Sequence, residues 1–149
     1  MKVLIVAHPD DEILWFNPEE FDRIVIVFLG RLDKKEQGEG RRRALEAHPL
    51  KDKIECLGLT ESGHWRDKSV AAMERHQHNR VLLERWLHTV DADEVTTHDA
   101  KGEYQHLDHV LVHNACMEIL KCKVNGKDPV LYRKIRQVYV DNNCWTWYS

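Results

Sequence analysis

Short apolar runs, each ending in a polar turn and then a helical pattern, leave this chain few architectures. Val3-Leu4-Ile5-Val6 is the first, Arg23-Ile24-Val25-Ile26-Val27-Phe28-Leu29 the second, Ile54-Glu55-Cys56-Leu57 the third and Asp93-Glu94-Val95-Thr96 the fourth. Runs of this length rich in β-branched residues read as strands, and a continuously apolar run reads as a buried one. Strands alternating with helices predict an α/β fold, a single three-layer α/β/α sandwich over residues 1–149 with a mostly parallel, Rossmann-like sheet. Asn17-Pro18 should cut the first helix short. Gly30 to Gly40 reads as a loop, and Arg41 to Ala47 as a helix ended by His48-Pro49. Asp67 to Val90 is helical in pattern, with Val70, Met73, Leu82, Trp86 and Val90 inward and His76, His78 and Arg80 outward. A turn signal over Lys123 to Pro129 and a last strand over Arg136 to Val140 complete the reading.

The first strand runs straight into Ala7-His8-Pro9-Asp10-Asp11-Glu12. In open α/β sheets, ligands and catalytic groups collect at strand ends of this kind. The loop carries an imidazole and two adjacent carboxylates, ligand types that suit zinc, with a carboxylate to spare for moving a proton. A purely structural account also exists: Pro9 favours a first helical position, and the acids would complement the positive end of a helix dipole. That account leaves His8 unexplained.

A second loaded strand end, Thr97-His98-Asp99-Ala100-Lys101-Gly102-Glu103-Tyr104-Gln105-His106-Leu107-Asp108-His109, precedes a helix pattern through Val110, Leu111, Ala115 and Ile119. His106, His109 and His113 fall at i, i+3 and i+7, one face of a helix. Three histidines with Asp108 between them, facing another His/Asp loop, point to a site. His113 is the rival to His109 as a ligand, being one turn further along.

His8-Pro9-Asp10-Asp11-Glu12 with His106-Leu107-Asp108-His109 resembles the two signatures of the LmbE-like, or PIG-L, family of zinc-dependent N-deacetylases. Leu107 stands where the family usually has proline, and Gln105 where it commonly has glycine. Beside those members the chain is compact. The resemblance implies that His8, Asp11 and His109 hold Zn2+, or another divalent metal, and that Asp10 is the general base. It further implies that His106 stabilises the oxyanion, that Asp108 orients the His106 ring and keeps it charged, and that Tyr104 reaches the reacting carbonyl. Arg43 and Glu46 resemble an Arg-x-x-Glu helix whose arginine projects toward substrate; as a plain surface pair they would need no such role. The implied activity is removal of the acetyl group from an N-acetylated amino sugar or sugar conjugate. Two competitors stand beside it, hydrolysis of another small amide conjugate and a metal-binding protein that has lost catalysis. Asp10 and His106 together argue for an enzyme, since holding a metal requires neither.

Composition narrows the partners. With 149 residues, 42% of them hydrophobic, the chain can build a core. A net charge of −3 offers no basic footprint for nucleic acid. The apolar run after Met1-Lys2 is too short for a signal peptide, and no segment has the length of a membrane helix. Cys56, Cys116, Cys122 and Cys144 form no Cys-x-x-Cys pair and read as reduced thiols, so a cytoplasmic protein is expected. The short C-terminal portion leaves room for a homo-oligomer in which a second subunit supplies specificity. The aromatic tail from Cys144 through Trp145 and Trp147 to Ser149 is expected to pack on the core.

Overall fold

The computed structural model describes residues 1–124 and 133–145. Five parallel strands form the sheet in the order β3-β2-β1-β4-β5. They are β1 (Lys2–Val6), β2 (Arg23–Arg31), β3 (Ile54–Glu61), β4 (Glu94–Thr97) and β5 (Cys122–Val124). The helices are α1 (Asp11–Leu14), α2 (Lys35–Glu46), α3 (Val70–Leu87), the irregular turn α4 (Gly102–Gln105), α5 (Leu107–Ile119) and α6 (Arg133–Asp141).

Successive residues of a strand point to opposite faces, and the two central strands show how that builds two cores. Leu4, Val6, Ile24 and Ile26 pack toward α1, Ala44 of α2, and Ile135 and Tyr139 of α6. Val3, Ile5, Val25 and Val27 pack toward Leu83 and Leu87 of α3 and Leu111, Val112 and Ala115 of α5. A sheet covered on both faces is the expected α/β/α sandwich, and it explains why β1 and β2 are apolar without alternation. The chain moves outward from β1 through β2 to β3, then returns to the far side of β1 for β4. This reversal puts the loops after β1 and β4 side by side, at the crevice where such sheets hold their ligands.

Four local expectations change. The helix foreseen over Arg41 to Ala47 begins earlier, at Lys35, while β2 continues to Arg31. The third strand runs on to Glu61, which carries a carboxylate to the same edge of the sheet as His8. In α3 the buried stripe is Ala72, Asn79, Leu83 and Leu87, whereas Val70 and Met73 are exposed. Arg136 to Val140 is not a strand but part of α6: Ile135 and Tyr139, four apart, share one face and are buried, and that spacing wins over the β-branched composition. Of the turn expected over Lys123 to Pro129, Lys123 and Val124 belong instead to β5, and 125–129 lie outside the described residues, as does the tail from 146, Trp147 included; Trp145 is buried in the core beside Tyr139. Among the described residues, no helix is long and apolar enough to cross a membrane.

Candidate metal centre

The chain leaves β1 and turns sharply, with the Asp11 N–H donating to the His8 carbonyl at 3.1 Å. Asp10 takes a left-handed conformation, φ 88°, at the N-cap of α1. A residue with a Cβ sits there at a cost of about 1–2 kcal/mol, and the cost has a geometric return. The turn folds the Asp11 carboxylate back onto the His8 N–H, which donates to Oδ2 at 2.7 Å. From the other side, His106 caps α5, and His109 follows one turn in, fully buried.

Three atoms converge where the two loops meet. His109 Nε2 lies 3.1 Å from Asp11 Oδ2, His8 Nδ1 lies 3.3 Å from the same oxygen, and the two nitrogens are 3.3 Å apart. A tetrahedral ion with bonds of about 2.0 Å has ligand-to-ligand edges of ~3.3 Å, so the triangle fits one face of such a sphere. The rest of each ring is already engaged. His8 Nε2 donates to Asp108 Oδ2 at 2.8 Å, and His109 Nδ1 donates to Glu103 Oε1 at 3.0 Å. Carboxylates behind both imidazoles aim the remaining lone pairs into the triangle, the usual support for a metal-ligating histidine.

Charge favours a cation at the same spot, and without a metal that cation is a proton on each ring. Burial works against a charged His8, yet Glu61, Asp108 and Asp11 outweigh it and raise its pKa well above the ordinary value. His109 is likewise raised to about 9, against its burial, chiefly by Asp11 and Glu103. Asp11, though buried, is held ionised well below the usual carboxylate range by His109 and His8. Among the described residues two further groups have metal-ligand types within reach, His8/Glu61/His106/Asp108 and His98/Glu103/His109. In the second, His98 Nε2 accepts the Ala7 N–H at 2.9 Å, so its Nδ1 carries the proton, facing Glu103 at 2.7 Å. In the first, His8 contributes the nitrogen already bonded to Asp108. Both groups read as the outer support of the triangle.

The PIG-L family model, described as GlcNAc-PI de-N-acetylase, matches residues 3–120, which include both loops, β2 to β4 and all of β1 but its first residue. The chain belongs to the PIG-L family. No curated protein matches it. PIG-L proteins are generally deacetylases and typically metal-dependent, and the triangle is chemically suited to that dependence.

Departures from the PIG-L pattern have visible consequences. Gln105, where the family commonly has glycine, sits at φ 70°, a region that favours glycine. Leu107, in the place of the family's proline, is the first residue of α5, where a proline would also be accepted. His113, the rival ligand, is turned away: its Nδ1 donates to the His98 carbonyl at 2.7 Å.

A cavity of about 560 Å³ opens beside the triangle, its wall including His8, Arg41, Glu61, Trp65, Tyr104 and His106. Tyr104 is half exposed and stacks on Trp15 with ring centroids 5.8 Å apart. Two expectations need correction here. Asp108 does not pair with the His106 ring, because its carboxylate is spent on His8; its backbone N–H donates to His106 Nδ1 at 3.1 Å. His106 is therefore a neutral imidazole with its proton on Nε2, and burial with the nearby His8 and His109 pushes its pKa down to about 2. Arg43 is the second correction. It is exposed and faces a different, larger cavity, about 920 Å³, formed with Lys34, Asn142 and Trp145. The arginine in the site cavity is Arg41, on the inner face of α2 with Gly38 and Ala44, bonded to Glu61 at 2.6 Å. Glu46 pairs instead with Arg42, at 2.7 Å.

Glu61, Glu103 and Arg41 are the site residues that sequence reasoning missed as participants. Glu103 stood inside a quoted motif, so its carboxylate next to Tyr104 was a usable signal. His76, expected outward, turns in, with Nδ1 at 3.0 Å from Ser62 Oγ and 3.7 Å from Asp108 Oδ1.

Proposed function

We propose that this chain is a zinc-dependent hydrolase that removes the acetyl group from the nitrogen of an N-acetylated amino sugar or sugar conjugate. The observation that carries the reading is the His8, Asp11 and His109 triangle with a carboxylate behind each imidazole. Zinc bound there supplies Lewis acidity and brings the pKa of water toward neutrality. Asp10, next to Asp11 but outside the triangle, accepts the proton of the attacking water. His106 presents its Nε2–H to the carbonyl oxygen as negative charge develops, a role that a neutral imidazole fills without help from Asp108. Tyr104 offers a second donor, its hydroxyl, at the rim, with its ring fixed by the stack on Trp15. Asp108 and Glu103 orient His8 and His109. The carbon–nitrogen bond then breaks as a proton passes to the leaving nitrogen, either the one Asp10 took from water or the Nε2 proton of His106, and acetate and the free amine are released. Arg41 takes over the substrate-facing place first expected for Arg43, its charge balanced by Glu61.

The test joins two measurements on purified protein: zinc per chain, and acetate released from a panel of N-acetylated sugars. About one zinc per chain and turnover of at least one sugar are expected. Protein that cannot be loaded with metal, or loaded protein that releases no acetate from any of them, would defeat the proposal.

A further inference from the structure

The turn that carries Asp10 is braced by a residue from the other end of the chain. Glu12 is completely buried, and its carboxylate receives three donors. The Asp10 N–H donates to Oε1 at 2.8 Å, the Tyr139 hydroxyl lies 2.8 and 3.1 Å from the two oxygens, and His48 Nε2 lies 3.3 Å from Oε2. The His48 tautomer is set by Leu50, whose N–H donates to Nδ1 at 3.0 Å, so Nε2 carries the proton toward Glu12. A carboxylate shut away from water needs such donors, and losing one leaves its charge under-compensated, so that the side chain shifts or takes a proton and its other contacts move with it. One of those others is the backbone of Asp10 in its left-handed conformation.

We propose that Tyr139 is a positioning residue for the reaction: its hydroxyl, acting through Glu12, holds the Asp10 turn and so aims the Asp10 carboxylate at the water it deprotonates. Tyr139 sits on α6, outside the residues 3–120 that match the family. The proposal rests on Asp10 being the base, as argued above.

Tyr139→Phe removes only the hydroxyl and keeps the ring against Trp145 and His48, with centroids 6.5 and 6.0 Å away. The kcat for acetate release should fall roughly ten- to a hundredfold, the usual cost of losing such a supporting contact, with KM and zinc content unchanged. In an Asp10→Asn background the same substitution should cost nothing further, because the group it aims is gone. Losses that multiply in the double variant, a lowered zinc content, or a wild-type kcat in Tyr139→Phe would each overturn the proposal. Should Tyr139→Phe not accumulate as folded protein, Glu12→Gln should give the same non-additive loss. Hydrogen exchange at the Asp10 amide reads the contact without turnover: it should quicken in Tyr139→Phe, and unchanged exchange would refute the brace. If the wild-type chain releases acetate from no sugar, the proposed reaction fails, and the exchange comparison still decides whether Tyr139 holds the turn.

Discussion

His109 and His113 differ by four positions on one helix, yet their chemistry diverges because of what their second nitrogen meets. His109 Nδ1 is bonded to the Glu103 carboxylate, which leaves Nε2, facing Asp11, as the nitrogen a metal would take in place of a proton, whereas His113 spends its Nδ1 proton on a backbone carbonyl outside the triangle. His109→Ala should therefore abolish stoichiometric zinc binding, and His113→Ala should leave it intact; elemental analysis of the two variants separates them. His106 makes its argument through the Nδ1 that accepts from Asp108, which fixes the proton on the outward nitrogen. Replacing it with alanine should lower turnover by roughly two to three orders of magnitude, the usual worth of one oxyanion donor, with zinc content unchanged. Parallel measurement of kcat and metal would show whether both halves hold.

The contact between α2 and α6 explains why a glycine stands in the middle of a helix, where it costs roughly 0.5–1 kcal/mol relative to alanine. A Cβ on Gly40 would lie 2.3 Å from the Asn142 carbonyl oxygen and 3.6 Å from Cys144 Cβ, so the chain after α6 crosses α2 too closely for any side chain. Gly40→Ala should gain helix propensity and still lose, by about 1–3 kcal/mol net, as overpacked cores do; a lower urea midpoint with an unchanged slope would show it. Because α6 also carries Tyr139, the displacement should reach Glu12 and lower kcat by more than the stability loss alone explains. The helix at this position was not legible beforehand. Gln137-Val138-Tyr139-Val140 has the composition of a strand, and only its packing partners, the buried faces of β1, β2 and α1, select the helical spacing of Ile135 and Tyr139.

For the whole molecule, a metal held at the triangle would stabilise the fold, since the triangle joins a loop after β1 to a helix after β4. A ligand that binds only the folded chain adds about 2.7 kcal/mol at a hundredfold excess over its Kd, which in a chain of this size is a Tm rise of roughly 5–10 °C. Zinc should produce that rise in the wild-type chain and none in His109→Ala, as a thermal scan with and without chelator would record. The strand ends, the alternation of strand and helix, and the two loops loaded with His and Asp were readable from the sequence because each depends on residues near one another along the chain. Which arginine enters the cavity depended on where α2 begins, a boundary that local composition blurs. That Asp108 supports His8 across 100 positions, and Tyr139 supports Glu12 across 127, came only from the tertiary structure. Such pairings answer the demand of buried charges for partners, and that demand exists only once the sheet has closed the two loops away from water.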